Sequence, residues 1–528
     1  MRRFATLLER LVTTPQRLGK LRLLRDYLAA VPDPDRGWAL AAITRDLDLA
    51  GVKPAMLRAL VAERTDPELF ALSYDYVGDL AETIALIWPV RPHAAPDDPP
   101  LGEVVAALRA ASRREAPQVV EALLDRLDPS SRFALLKLVT GGLRIGISAR
   151  LAKQALAELG QRDVGEIEEI WHGLTPPYTP LFAWLVGRGP RPASTLACPF
   201  RPVMLAHPLD AGELDALDPA DFAAEWKWDG IRVQATVCGP DRRLYSRTGD
   251  DIGQAFPDLL AALDFEGTLD GELLVRRGAD TAPFSDLQQR LNRKTVTAGH
   301  LRDFPAGFRA YDALVLGERD LRPLPFAERR ARLEALAPDL DPTRVDLSPL
   351  VPFATWADLA AARASPPHPV IEGVMLKRRT SPYLPGRPKG HWFKWKRDPH
   401  LIDAVLMYAQ RGHGKRSGFY SDYTFGVWTD DDALVPVGKA YFGFTDEELA
   451  QIDRFVRANT TERFGPVRAV RATPSHGLVL EVAFEGLARS TRHRSGIAMR
   501  FPRIARLRWD KPPCEADRLA TLEALLPP

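Results

Sequence analysis

Apolar residues recur at three- and four-residue spacing through roughly the first 190 residues, as in LRLLRDYLAAV at 21–31 and VVAALRAASRR at 104–114. That period lines one face of a helix. Breakers such as VPDPDRG at 31–37 end the helices. The stretch 89–100, PVRPHAAPDDPP, is too rich in proline for a helix or a central strand and reads as a surface loop. A second breaker-rich stretch, 187–202, reads as an interdomain linker. From about 203 the period shortens. IRVQATVC, TLDGELLV, FRAYDALVL, GVMLKRR and HWFKWKR read as strands, with a few helices between them such as one at 325–337. From 399 five or so short strands and one helix at 445–458 suit a small Greek-key barrel. The pattern therefore predicts an all-α domain over 1–190, an α+β domain over 203–398, a β-barrel over 399–514 and a tail at 515–528. No internal repeat or low-complexity tract interrupts it.

The length, 528 residues, agrees with three or four domains. With 45% apolar and 27% charged residues, the chain is neither fibrous nor disordered as a whole. No apolar run approaches the ~18–20 residues that span a bilayer. Glu9 and Arg10 interrupt the start before a signal-peptide core can form. The expectation is a cytoplasmic protein with no membrane partner. Cys198, Cys238 and Cys514 are far apart in sequence and offer no CxxC pair, zinc ribbon or disulfide framework. The net charge of +2 says little, but the kind of cation says more. Only 13 of the 71 basic residues are lysine, and five of those, Lys377, Lys389, Lys394, Lys396 and Lys415, crowd into one stretch. Arginine cannot supply an amine nucleophile. In an arginine-biased chain, lysine should survive where the amine itself is used.

One lysine, Lys227, stands in Glu225-Trp-Lys227-Trp-Asp229-Gly230-Ile-Arg232. Alone, Lys-x-Asp-Gly is weak and equally reads as a strand ending in an Asp-Gly turn. Six further signals follow in order: Ser246-Arg247-x-Gly249, Asp270-Gly271-Glu272, Tyr311-Asp312, Glu372-Gly-Val-Met-Leu-Lys377, Trp392-Phe-Lys394-Trp-Lys396 and Arg508-Trp-Asp510-Lys511. Period two puts the Lys394 and Lys396 amines on one strand face, with Phe393 and Trp395 on the other.

The series resembles the covalent nucleotidyltransferases, and within them the ATP-dependent DNA ligases. The helical part is similar to the DNA-binding domain of the larger ligases through GDLAET at 78–83 and LRIG at 143–146. The opening resembles a bacterial subgroup of cisplatin damage-response ligases. The resemblance implies a helical DNA-binding domain, an adenylation domain and an OB-fold domain. It implies that breaks in duplex DNA are sealed through a lysyl-adenylate, AMP on Lys227, and a DNA-adenylate. A free lysine amine is mostly protonated at neutral pH, so the cations Arg232, Lys394 and Lys396 are expected to crowd Lys227 and ease proton loss.

The resemblance further assigns ATP contacts. Glu225 meets adenine, and Tyr311 stacks on it. Arg232 and Arg247 hold ribose and phosphate oxygens. Lys394 and Lys396 face the α-phosphate, and Arg508 and Lys511 meet pyrophosphate. Relatives carry an arginine at the position of Pro388, so its role passes to neighbouring Arg387, with Lys389 on the other side. Glu272 and Glu372 match the carboxylates that hold Mg²⁺, with Mn²⁺ as an alternative. Asp398 is the expected hinge. Arg144, Arg150, Lys153 and a helix start after Gly146 form the expected phosphate-directed DNA surface, equally readable as a solvated basic face. Expected partners are nicked or broken duplex DNA and a helicase and exonuclease of the same repair pathway, with the protein a monomer. Competing readings are an RNA ligase or capping-type guanylyltransferase, and a non-catalytic DNA-binding scaffold. An NAD-dependent ligase is disfavoured, since its cysteine zinc site is absent.

Overall fold

The computed structural model describes residues 1–49, 52–77, 79–89, 97–141, 143, 145–192, 198–209, 211–278, 280–291, 293, 295–412, 419–491 and 493–526. Gly78, Arg144 and Lys415 lie outside the described residues, as do parts of the 89–100 loop and the 187–202 linker. The chain divides into two compact units, one formed by 1–152 and 399–528, the other by 153–398.

In the first unit, nine described helices run from Arg2–Thr13 to Pro129–Val139. The expected spacing is visible in Arg2–Thr13, whose Phe4, Leu7, Leu8 and Leu11 form one buried stripe. Asp79 of the quoted GDLAET caps the helix Leu80–Ile87 through the Glu82 amide and pairs with Lys137 at 2.5 Å. The helix Ala149–Gly160 contains the break between units. Its start is capped by Ser148, whose hydroxyl accepts from the Leu151 amide. Lys153 stands over the Trp171 ring at 5.1 Å.

Residues 399–528 carry nine described strands from His400–Arg411 to Arg503–Arg508, more than the five expected. Seven form one antiparallel sheet and two form a separate hairpin. His400–Arg411 is its centre. Its first half pairs with Val479–Phe484, and its second half pairs with Val467–Val470. The predicted helix is Asp446–Asn459, which begins with a capping box between Thr445 and Glu448.

The second unit holds the helices Val164–Trp171 and Thr179–Leu185 and two sheets. We label its main strands β1 (Phe222–Trp228), β2 (Ile231–Cys238), β3 (Asp241–Ser246), β4 (Gly267–Arg277), β5 (Ala306–Leu316), β6 (Ile371–Arg378) and β7 (Trp392–Lys396). The first sheet contains β7, β6 and β1 in that order, and the second contains β3, β2, β4 and β5. The first sheet's two faces differ in kind. Phe222, Ala224, Val374, Leu376 and Phe393 enter a hydrophobic core, with Trp226 and Trp395 packed on it. Glu225, Lys227, Met375, Lys377, Lys394 and Lys396 take the other face by alternation and register. Among the described residues no helix is long and apolar enough to cross a membrane.

Candidate active site

The Asp229-Gly230 pair does not close a hairpin. It carries the chain from β1 in one sheet to β2 in the other. The Asp229 amide bonds the Val370 carbonyl at 2.9 Å. Gly230 passes so close to β4 that a Cβ would lie 2.5 Å from the Leu273 carbonyl oxygen and 2.9 Å from Glu272 Cγ. Lys-x-Asp-Gly thus needs its glycine for close approach. Lys227 ends at the crossing of the sheets.

The Lys227 amine donates to Glu372 Oε2, and Lys396 Nζ stands 3.9 Å from the same oxygen. A β-bulge makes this contact. The pairing passes from Ile371↔Trp228 to Gly373↔Lys227, so Glu372 is an extra residue on β6. Gly373 has φ +147°, and a Cβ there would lie 2.3 Å from the Trp395 carbonyl oxygen. The expectation that cations crowd Lys227 therefore meets another arrangement, since a carboxylate binds the amine. The cations gather at Lys394, whose amine is pulled below its usual range by burial and then by Lys396, Arg387, Lys227 and Arg247.

The second sheet presents Arg232 and Asp270. Arg232 forks onto Asp270 at 3.0 and 2.6 Å and donates to the Met204 carbonyl at 2.6 Å and the Tyr383 hydroxyl at 3.0 Å. Its guanidinium is committed to protein partners rather than held out for ribose or phosphate. Burial pushes the Glu272 carboxyl up to about 8; Lys227 and Arg232 oppose that, and Asp270 and Glu372 add to it. Arg247 lies within electrostatic range of Arg232, Arg387, Tyr311 and Glu272.

Glu225 is placed differently from its expected role. It is 2% exposed, paired with Lys377 at 2.8 Å and with Arg330 at 3.3 Å. Its carboxylate is sealed by charges from β6 and from the helix Phe326–Leu336. Tyr311 is half-buried on β5.

Among the described residues, no three His, Cys, Asp or Glu side chains gather as a metal site. Glu272 and Glu372 offer two hard oxygen donors, and the Glu372 charge adds to the raised proton affinity of Glu272. That donor set fits Mg²⁺, which takes one or two carboxylates and completes its shell with water and substrate phosphates.

Arg508 and Lys511 belong to the other unit. There Asp403 pairs with Arg508 at 3.1 Å and with Lys511 at 2.8 Å. Sequence reasoning gave no role to Asp403, Asp270, Tyr383 or Lys377. Two of these, Asp270 and Lys377, stood inside quoted motifs, so proximity to the motif was the available signal.

Three family models match in order along the chain. They are the DNA ligase N terminus at residues 1–157, the ATP dependent DNA ligase domain at 203–396 and the ATP dependent DNA ligase C terminal region at 416–511. The chain belongs to the ATP-dependent DNA ligase family. A probable DNA ligase of Anaeromyxobacter sp. (strain Fw109-5) is 33% identical, over 97% of this chain and 95% of that protein. A probable DNA ligase of Koribacter versatilis is also 33% identical, over 77% of this chain and 74% of its own length. The solved structure of Pmar-Lig_PreS3 shares the fold, with a TM-score of 0.62 over 96% of this chain and 99% of that one at 14% identity. As a ligase of this family, the enzyme seals nicks in DNA at the expense of ATP.

Proposed function

We propose that Lys227 is the nucleophile and that the enzyme works through two adenylated intermediates. The Lys227 nitrogen attacks the α-phosphorus of ATP, an N–P bond forms and pyrophosphate leaves. The 5′-phosphate of the break then displaces Lys227 from AMP. The 3′-hydroxyl displaces AMP in turn, closing the phosphodiester. A 5′-phosphate monoester has no good leaving group, which is why it must first be activated.

The observation that carries this reading is the Lys227 amine at the crossing of two sheets, bound to Glu372 and flanked on one face by Lys394 and Lys396. Lys394 and Lys396 neutralise charge on the phosphates, and Arg247 and Arg387 add to that field. Tyr311 offers its ring to the base. Arg232 holds Asp270 in the wall behind the phosphates, and Glu225 acts beneath the base rather than on it. Glu272 and Glu372 would hold Mg²⁺, which supplies charge neutralisation on the transferring phosphoryl group when bound. Arg508 and Lys511 meet pyrophosphate, with residues 399–514 acting as an OB-fold that swings about Asp398. Residues 1–190 bind the DNA backbone through Arg144, Arg150 and Lys153, independently of sequence. The pathway is repair, on nicks or broken ends, with a helicase and an exonuclease as neighbours and the enzyme itself a monomer in the bacterial cytoplasm.

The test is intact mass after stripping any bound AMP with pyrophosphate, then incubation with Mg²⁺ and ATP, GTP or NAD. An AMP adduct from ATP alone, lost in Lys227→Ala, is expected. An adduct that persists in Lys227→Ala would sink the nucleophile. No adduct from any nucleotide would favour the DNA-binding scaffold.

A further inference from the structure

Lys377 closes the quoted Glu-Gly-Val-Met-Leu-Lys motif, yet nothing in the reaction above uses it. It is 1% exposed. At that depth it cannot touch a phosphate as Lys394 and Lys396 are proposed to do. What it does touch is specific. Its amine pairs with Glu225 at 2.8 Å and donates to the Tyr311 carbonyl at 3.3 Å. It lies 4.4 Å from the ring centroid of Tyr311, 4.8 Å from Phe326 and 4.7 Å from Trp392.

The backbone explains why Tyr311 needs such a partner. Between β4 and β5 the register passes from Asp270↔Asp312 to Gly271↔Ala310. Tyr311 is therefore the extra residue of a bulge, outside the ladder that fixes its neighbours. A bulged residue re-aims its side chain but loses the strand pairing that would hold it still. Lys377 restores that hold twice, by a hydrogen bond to the carbonyl and by a cation over one face of the ring. Tyr311 as a residue is half-buried rather than sealed, and Arg232 stands 5.9 Å from the same ring centroid.

We propose that Lys377 is a positioning residue that fixes the Tyr311 ring as the platform for the nucleotide base, with Glu225 balancing its charge. This rests on the reading of Tyr311 as the base-stacking residue. Arg330 donates to Glu225 and to the Ser348 carbonyl, tying the same carboxylate to the wall of the unit. The platform is thus held from below by a chain of charges.

The experiment is single-turnover formation of the lysyl-adenylate on the full chain, after pyrophosphate stripping, at varied ATP with Mg²⁺. Lys377→Met is expected to raise the half-saturating ATP concentration about tenfold, equivalent to about 1.4 kcal/mol. The rate at saturating ATP should stay within about threefold, since the amine does not meet the phosphates. Lys377→Arg should recover most of the loss. In the Tyr311→Leu background, Lys377→Met should add nothing, because its effect runs through that ring. If Lys377→Met fails to fold with Glu225 left to Arg330 alone, the double variant Lys377→Met/Glu225→Gln restores the net charge and carries the same expectation. An unchanged half-saturation in Lys377→Met while Tyr311→Leu weakens ATP would overturn the positioning role alone, as would penalties that add in the double variant. An unchanged half-saturation in Tyr311→Leu would remove the platform itself and this inference with it.

Discussion

One face of the first sheet has two ends that use the same residue types for opposite purposes. At one end, Lys377 and Glu225 have side chains each 2% exposed and form a closed ion pair among aromatic rings. At the other, Lys227 and Lys396 are 23% and 35% exposed and share the Glu372 carboxylate. Burial decides the difference. A lysine that can never leave its carboxylate becomes structure. A lysine that stays partly exposed is placed to exchange its carboxylate for a phosphate, as proposed for Lys227 and Lys396. Motif membership alone does not separate the two, since both ends are built from quoted motifs.

The largest expected stability effect lies in the sealed layer. Arg329 and Asp312 are both fully buried and meet through two bonds of 2.8 Å. Arg329 also donates to the Leu324 and Ser381 carbonyls at 2.6 and 2.9 Å. Arg329→Met leaves the Asp312 carboxylate buried without its main counter-charge, which typically costs about 3–5 kcal/mol. The loss should appear as a lower urea midpoint with an unchanged slope. A loss below about 1 kcal/mol would mean that this layer is wetter than its geometry implies.

Glu272, on β4 of the second sheet, faces the open end and gives it a pH dependence. Its carboxyl is raised from 4.5 to about 8, chiefly by burial. The neutral form is therefore favoured in the folded state. That contribution is complete below about pH 4.5 and is lost as pH rises through about 8. Glu272→Gln removes the titration, so the variant should gain on the wild type between pH 5 and pH 8, by about 2–3 kcal/mol. Thermal melts of the ligand-free enzyme at both pH values test it. The same variant should lose adenylation, which would separate stability from function at one atom. Equal melts at both pH values would show that Glu272 is already solvated.

Much of the site was legible because strand alternation is a strict rule. Lys394 and Lys396 share a face, while Phe393 is buried and Trp395 packs on the core, as the Trp-Phe-Lys-Trp-Lys pattern required. The bulges were not legible. Glu372 and Tyr311 are each the extra residue in a strand, and period two cannot say where a strand takes an extra step. The role of Lys377 was hidden for a related reason, since its cage comes from β5, β7 and the helix Phe326–Leu336. In the C-terminal region the hairpin Thr460–Phe464 with Val467–Val470 was missed because its first strand is polar and largely exposed. Cys198, distant in sequence from Asp241, donates its thiol to the Asp241 carbonyl at 3.4 Å.

Gly373→Ala probes how the open end is aimed. At φ +147° the backbone disfavours any Cβ, and this one would lie 2.3 Å from the Trp395 carbonyl oxygen. The strand must shift, at a cost of about 1–3 kcal/mol. The shift should also move Glu372 from Lys227, so adenylation should fall by more than the stability loss explains. A variant that is destabilised yet adenylates at the wild-type rate would show that the bulge sets packing and not the aim of Glu372.

The smallest stability effect should come from Lys396→Ala. Its amine is partly exposed and stands 3.9 Å from Glu372, at the limit of an ion pair. Such pairs give back in side-chain order most of what they gain in attraction, so removal should change stability by less than about 0.5 kcal/mol. Removal should nonetheless slow lysyl-adenylate formation strongly, because the charge is expected to act only once a phosphate arrives. Urea unfolding and single-turnover adenylation on the same preparation would read both quantities. If the stability loss matched that of Arg329→Met, the open end would be structural after all, and the contrast between the two ends of this face would collapse.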